Sequence, residues 1–210
     1  PVHGYVITDV IAGENGEAKE LLSSLKEPGV EYTVAPTAGI AVDDRIYLHY
    51  MSVKDWDMQW WNYKHPVVNG AGLAYSDDGG QTWVKDERAY WPGDSPFTQA
   101  AMVEDDGKIY IFGTPAGRFG PARLLRVDDE DLLNPDEYEY WDGQGWSHDP
   151  LAAAEVVPAP VGELSVRWSD YHQRWLMMYK NEINHTVVLR TAEQLEGPWD
   201  DERVVVTAEQ

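Results

Sequence analysis

The stretch Ser76-Asp77-Asp78-Gly79-Gly80-Gln81-Thr82-Trp83 is the strongest structural signal in the chain. It predicts a tight β-hairpin turn, because Asp-Gly and Gly-Gly supply residues that readily adopt positive φ. Asp78 can accept hydrogen bonds from amides of the turn, and Trp83 can fold back beneath the loop as an apolar plug. We therefore interpret the stretch as a structural hairpin, and a catalytic role for Asp78 is the less favoured alternative.

Three copies of one unit align around this hairpin. Each copy begins with two strands joined by an acidic or polar turn, and a third and a fourth strand follow. The first pairs occupy residues 40–50, 101–112 and 164–179, the third strands 72–76, 123–127 and 187–191, and the fourth 83–91, 138–146 and 199–206. Four antiparallel strands repeated at roughly 65 residues are typical of β-propeller blades with long loops. The Ser-x-Asp-x-Gly-x-Thr-Trp pattern itself resembles the Asp-box hairpin of sialidases and other β-propellers.

The repeat predicts an all-β fold with a single β-propeller domain. Residues 36–92, 93–148 and 149–207 would form three four-stranded blades, and residues 1–35 would be the remnant of a preceding blade. Known propellers close with about four to eight blades, so we expect this chain to be part of a larger propeller. Open blade edges would also allow association between copies of the chain.

Composition excludes several classes of partner. Sixteen Lys and Arg against 37 Asp and Glu give a formal charge of −21, which disfavours nucleic acid and anionic membranes as ligands. No apolar run reaches the roughly 18 residues of a membrane-spanning helix, so we expect no membrane insertion. The chain has no cysteine, no metal-ligand spacing of histidines, no P-loop and no dinucleotide fingerprint. We therefore expect no cofactor and no metal, and a neutral ligand fits best.

Aromatic residues are abundant, with ten Trp and 12 Tyr. Surplus aromatic side chains commonly line grooves that bind sugars. They would equally serve as plugs in a β-rich core, and composition leaves both interpretations open.

Candidate site residues follow from the propeller prediction, because the innermost strand of each blade lines the central channel. This points to residues 35–39, 94–99 and 161–165. Glu163 is the leading candidate, as a partly buried general acid whose protonated form burial would favour. The alternative is an ordinary acid paired with Arg167 or with a neighbouring loop. Asp94 and Gln99 hold comparable positions before the second blade, although turn capping is the simpler role for Asp94.

Long loops between the second and third strands supply further candidates. The first, residues 51–65, carries Trp56 and Trp60, which could stack on sugar rings, and His49 precedes it. For His49 the alternative is a hydrogen-bonded core imidazole. The other two loops, residues 113–120 and 180–185, contribute the polar side chains Arg118, Asn181 and Glu182. Solvated connectors remain the alternative for all three loops.

Four segments, residues 47–53, 72–83, 111–120 and 160–167, occur in this order in a known group of proteins. On these segments the chain resembles a family of secreted actinobacterial proteins that is catalogued as a domain of unknown function and linked to endo-D-arabinanases. The resemblance implies a five-bladed propeller glycoside hydrolase that acts on a D-arabinofuranose polymer of the cell envelope. The catalytic acids of that family lie largely in its first blade, near a Gly-Asp-Thr-like turn that this sequence lacks, and a closing blade would follow Val206.

The leading hypothesis is a secreted carbohydrate-active protein, a glycoside hydrolase that uses paired carboxylates on a polysaccharide. Glu163 would be the acid or a transition-state contact. Hydroxyl groups of the substrate would be oriented by Arg118, Gln99, Asn181 and Glu182. The alternative is a non-catalytic module that binds a glycan or a protein through the same loops.

Overall fold

A computed structural model describes residues 11–13, 16–56 and 67–207 of the chain. Within these ranges the regular structure consists of three antiparallel sheets and three short 3₁₀ helices, which confirms the predicted all-β class. The 3₁₀ helices are Asp129–Asp131, Pro135–Glu137 and Pro150–Ala152.

The first and third sheets each contain four strands in chain order. The first sheet consists of β1 (Thr33–Val42), β2 (Arg45–Asp55), β3 (Val67–Ser76) and β4 (Val84–Pro92). The third consists of β11 (Gly162–Ser169), β12 (Arg174–Asn181), β13 (Thr186–Ala192) and β14 (Arg203–Val206).

The second sheet has six strands instead of the four that the repeat predicted. The strands β5 (Gln99–Asp105), β6 (Lys108–Thr114), β7 (Ala122–Asp128), β8 (Glu139–Trp141) and β9 (Trp146–Ser147) pair in sequence, and β10 (Glu155–Val157) adds to β7. The predicted fourth strand is split because Asp142 accepts hydrogen bonds from the amides of Gln144 and Gly145, at 2.8 and 2.7 Å. This side chain therefore stabilises a turn where a continuous strand was expected.

The second sheet is buried on both faces. Its strands alternate strictly, since Ala101 of β5 and Phe112 of β6 pack toward the third sheet, whereas Met102 and Ile111 pack toward the first. This follows from the two-residue period of a strand, which sends successive side chains to opposite faces. Each fully buried Ile or Phe contributes roughly 2 to 3 kcal/mol, so the two cores bind the three sheets into one body.

The outer face of the first sheet is covered by the segment that precedes it. Leu22 packs with Tyr50 and Ala74 in a small third core, together with the partly buried Trp83. Within residues 16–32 the regular pairing is limited to isolated bridges, so this segment acts as a cover and does not extend the sheet.

The turn at residues 76–83 has the predicted hydrogen bonds. The Asp78 carboxylate accepts from the Thr82 amide at 2.8 Å and from the Thr82 hydroxyl at 2.7 Å, and these bonds lower its pKa to about 2. Gly79 and Gly80 have φ of 69° and 88°. The Trp83 indole donates to the carbonyl of Gly80 at 2.9 Å. Both carboxylate oxygens of Asp78 are thus engaged in holding the turn.

Among the described residues, no helix has the length and apolar character needed to cross a membrane.

Candidate functional site

The first residues of three inner strands enclose one cavity. The strand β5 lies beside both β1 and β11, so the starts of these strands meet at one end of the sheets. The cavity has a volume of about 300 Å³, and its lining residues are Ala35, Pro36, Thr37, Met51, Trp56, Gln99, Ala100, Thr114, Glu163 and Leu164. The turn at residues 76–83 lies at the opposite end of the first sheet, because Ser76 pairs with Ile46 at the start of β2.

A β-bulge places Thr37 in the cavity wall. Pro36 pairs with Tyr50 and Ala38 pairs with His49, so Thr37 is the extra residue of β1. An extra residue interrupts the ladder and redirects a side chain without shifting the pairs on either side. The side chain of Thr37 is thereby positioned over the neighbouring strand.

Glu163 lies in a similar irregularity at the start of β11. Gly162 pairs with Lys180 and Ser165 with Met178, so β11 holds one residue more than β12 between these pairs. Glu163 has a φ of 51°, in the left-handed region that costs a residue with a Cβ roughly 1 to 2 kcal/mol. Its carboxylate is therefore placed by a strained backbone whose conformation the surrounding pairs impose.

Glu163 is exposed, which corrects the expectation of a partly buried acid. Its side chain retains 57% of its accessible surface. Its partner is Arg118, not Arg167: the Nε and Nη2 groups of Arg118 donate to Oε1 of Glu163 at 2.9 and 2.5 Å. Arg118 arrives from the loop after β6, which places it at the rim of the cavity.

One glycine allows the Arg118 loop to approach β11, and a second allows the loop to fold tightly on itself. A Cβ on Gly162 would lie 3.0 Å from Cβ of Arg118, and a Cβ on Gly120 would lie 2.1 Å from Cγ of Pro115. The amide of Val161 donates to the carbonyl of Gly120 at 2.8 Å, which ties the two segments together. The backbone of the Arg118 loop is thus held close to the start of β11.

Glu182 completes a small charge network behind Arg118. Its Oε2 lies 2.8 Å from Nζ of Lys180 and 3.7 Å from Nη1 of Arg118. The Lys180 ammonium, and to a lesser degree the charges of Arg118 and His185, hold the pKa of Glu182 below its usual range. Arg118 therefore lies between two carboxylates, those of Glu163 and Glu182.

His49 is a core residue, and its predicted direct contact with a ligand is corrected. It has no exposed surface. Its Nε2 lies 3.1 Å from the carbonyl of Phe97, its Nδ1 lies 2.6 Å from Oγ1 of Thr37, and its ring packs against Trp91. Burial lowers its pKa to about 4, so the ring is neutral at neutral pH. His49 can act on the cavity only through Thr37.

Asn181 is also buried, so its predicted contact with a ligand is corrected as well. Its Oδ1 accepts from the amide of Asn184 at 3.2 Å, and its Nδ2 donates to Glu202 at 3.4 Å. These bonds use the side chain to close the turn between β12 and β13. Asp94 is exposed in the turn before β5 and is not part of the cavity wall.

Gln99 and Trp56 do line the cavity. The indole of Trp56 donates to Oγ1 of Thr33 at 2.7 Å, which fixes the ring beside the start of β1. Oε1 of Gln99 accepts from the Thr114 hydroxyl at 3.5 Å. Trp60, the other predicted stacking residue, lies outside the described residues.

Thr37 and Thr114 are cavity residues that sequence reasoning missed as individual side chains. Thr37 lies inside the predicted 35–39 segment, where Pro36-Thr37-Ala38 gives no catalytic motif. Thr114 ends β6 and faces Gln99 through the pairing of β5 with β6. Strand pairing of the inner hairpin is the signal that would have placed Thr114 opposite Gln99.

Comparisons with known proteins give a family and a fold. The family model described as "Domain of unknown function (DUF4185)" matches residues 1–210. Notoamide biosynthesis cluster protein J of Aspergillus sp. (strain MF297-2) is 30% identical over 189 residues, which are 85% of this chain and 49% of that protein. The chain thus spans about half the length of the curated relatives it matches.

Two solved structures resemble this chain in fold. A family 117 glycoside hydrolase from Zobellia galactanivorans has a TM-score of 0.58 at 14% identity, over 91% of this chain and 62% of that one. The GH43B protein of a Bacteroides ovatus xyloglucan PUL has a TM-score of 0.51 at 14% identity, over 85% and 32%. At this level of identity the likeness concerns the fold alone, an all-β architecture of antiparallel sheets.

Proposed function

We propose a carbohydrate-active function from the premise that this chain belongs to the DUF4185 family of domains of unknown function. The specific proposal is that the cavity at the starts of β1, β5 and β11 binds a polysaccharide. In the whole protein this site would hydrolyse a glycosidic bond, with arabinan of a cell envelope as the substrate and secretion as the route to it.

One observation carries this proposal. A single cavity combines the Trp56 ring, the amide of Gln99, the hydroxyls of Thr37 and Thr114, and the carboxylate of Glu163. An aromatic ring beside convergent polar groups suits a sugar, which offers an apolar ring face and a rim of hydroxyls. The likeness to glycoside hydrolase folds supports the same class of ligand.

Glu163 takes the role of general acid or transition-state contact in this proposal. Both Arg118 bonds fall on Oε1, so Oε2 is the oxygen available to a glycosidic oxygen. Arg118, Gln99 and Glu182 orient hydroxyls around it. Glycoside hydrolysis commonly needs a second carboxyl group, and Glu163 is the one carboxylate in this cavity wall as far as the described residues extend. The second group is proposed to come from a further part of the whole protein.

The test replaces Glu163 in the full-length protein. Glu163→Gln preserves shape and removes the charge and the acid, so release of oligosaccharides from D-arabinan should fall by at least 100-fold. Glu193→Gln is the matched control, since Glu193 also pairs with an arginine but lies at the far end of the third sheet. Unchanged turnover in Glu163→Gln would remove Glu163 from the mechanism.

A second candidate function is glycan binding without hydrolysis. The exposed ion pair between Arg118 and Glu163 favours it, because the pair holds a donor and an acceptor side by side at the rim of the cavity, where both can bind hydroxyl groups of a sugar. Retention of arabinan oligosaccharides by the full-length protein with no product released would support binding alone.

A further inference from the structure

A hydrogen-bond chain determines whether the Thr37 hydroxyl in the cavity wall donates or accepts a hydrogen bond. The chain runs from the hydroxyl of Thr37, through the imidazole of His49, to the backbone carbonyl of Phe97. It joins the first sheet to the segment that enters the second, and its middle member has no exposed surface.

The direction of the hydrogen bonds in this chain is determined by its last member. A carbonyl oxygen can only accept, so Nε2 of His49 must carry the ring proton. In a neutral imidazole the other nitrogen is then an acceptor. The pKa of about 4 that burial gives His49 keeps the ring in this neutral form at neutral pH. The Thr37 hydroxyl must therefore donate its proton to Nδ1, across 2.6 Å.

Thr37 consequently presents only lone pairs to the cavity. A threonine hydroxyl normally rotates to donate or to accept, but its single proton is committed here. The other acceptor in reach of Oγ1 is the carbonyl of His49 at 3.5 Å, which also lies on the protein side. The β-bulge at Thr37 keeps Oγ1 in the cavity wall, so the acceptor is held in place even when the cavity is empty.

We infer that Thr37 is an acceptor-only contact for a hydroxyl donor of the ligand, and that His49 is its positioning residue, so that the cavity selects neutral glycans over acidic ones. The inference rests on the proposed function and specifies its substrate class. A carboxylate or sulfate of an acidic sugar would meet the lone pairs of Thr37 and the negative charge of Glu163 in the same cavity. Arg118, a cation at the rim of the cavity, is already shared between Glu163 and Glu182.

The first arm of the test reads the tautomer without any ligand. Nitrogen-15 NMR of the full-length protein, with His49 assigned through a His49→Gln variant, should show a neutral ring protonated at Nε2 from pH 6 to 8. A ring protonated at Nδ1 would overturn the inference, because Thr37 would then accept from His49 and direct its own proton into the cavity. Thr37→Val removes the donor and should shift the Nδ1 resonance, whereas Thr191→Val, a matched hydroxyl at the far end of the third sheet, should not.

The second arm measures binding by calorimetry with two probes, a neutral arabino-oligosaccharide and an oligogalacturonate of equal length. The wild-type protein should bind the neutral probe at least tenfold more tightly. Thr37→Val should lose about tenfold in affinity for the neutral probe, and Thr37→Ser, which keeps the hydroxyl, should restore it. Equal affinity for both probes, or tighter binding of the acidic one, would overturn the inference, as would a failure of both probes to bind. Binding of the neutral probe without hydrolysis would overturn the proposed catalysis and leave this inference standing.

Discussion

Arg118 and Glu163 connect the second sheet to the third across the rim of the cavity, with Nε and Nη2 of the arginine on a single carboxylate oxygen. The two residues are 45 positions apart, and each is placed by its own backbone device, a loop with close glycine contacts for Arg118 and a bulge for Glu163. Because the pair is solvent-exposed, it adds little to the free energy of unfolding, and its main effect is to orient the Glu163 carboxylate.

Arg118→Met should therefore separate function from stability. The pair with Glu163 is exposed, and Lys180 remains 2.8 Å from Glu182, so the free energy of unfolding should change by less than about 1 kcal/mol. Methionine retains much of the packing against Gly162. Affinity for the neutral arabino-oligosaccharide should fall, since the carboxylate of Glu163 loses its orienting partner. Urea unfolding and calorimetry on the same preparation check both halves. Arg45→Met is the control, because it breaks the Asp77 pair at the other end of the first sheet and should leave binding unchanged.

Glycine should be preferred to alanine at position 163. With φ at 51°, alanine carries the cost of the left-handed conformation and glycine does not. The free energy of unfolding of Glu163→Gly should therefore exceed that of Glu163→Ala by about 1 kcal/mol, which urea unfolding measures. The same pair of substitutions at Ser165, an exposed strand residue two positions on, should show the opposite order, with alanine the more stable. An identical order at both positions would contradict the strained conformation of Glu163.

Burial of His49 should make the protein less stable in acid. The folded-state pKa is about 4 and the ordinary value 6.5, so between these values the unfolded chain takes up a proton that the folded chain excludes. Stability is thus lost as the pH falls from 6.5 to 4, by up to about 3 kcal/mol, and this contribution is constant above and below that window. Urea midpoints measured across the window check the slope. His49→Gln should flatten it, and an unchanged slope in that variant would assign the effect to other groups.

Gly113→Ala should destabilise the second sheet. The added Cβ would lie 2.1 Å from the ring of Phe97, which is buried. The backbone carbonyl of the same residue binds His49. Relief of such a contact typically costs about 2 to 4 kcal/mol and would displace the backbone at the entry to β5. Gly145→Ala is the control, because nothing lies within 4 Å of the Cβ that it would gain. Similar midpoints for both variants in thermal unfolding would contradict the tight packing at Gly113.

The strands and the turn at residues 76–83 could be predicted because their signals are local. Alternating apolar residues and the spacing of Asp78, Gly80 and Thr82 act within a few positions of one another. The cavity could also be approximated, since the inner strands of a repeated sheet must begin at the same end. Gln99 and Glu163 lie in its wall for that reason, and Trp56 lies there because β2 ends beside the start of β1. The number of blades and the limits of the domain remain predictions.

The burial of individual side chains could not be predicted, because it depends on contacts between sheets. His49 and the Phe97 carbonyl are 48 positions apart, and no local sequence pattern predicts the hydrogen bond between them. The sequence places Asn181 in an exposed loop, yet its side-chain amide is buried and donates to Glu202, 21 positions further on. The apolar strand after Glu163 predicts a partly buried acid, whereas its side chain is 57% exposed in a bulge where its φ is positive.

Thr37 and Glu163 both lie in bulges, outside the regular pairs of the ladders that build the cores. Neither residue has a partner in these ladders, and pairs in register flank each bulge. Changing either residue alters what the cavity recognises without rewriting the apolar faces that hold the sheets together. The paired strands keep the sheets together, while residues 37 and 163 determine part of what the cavity binds. A design that aims at a different ligand would begin with these two positions.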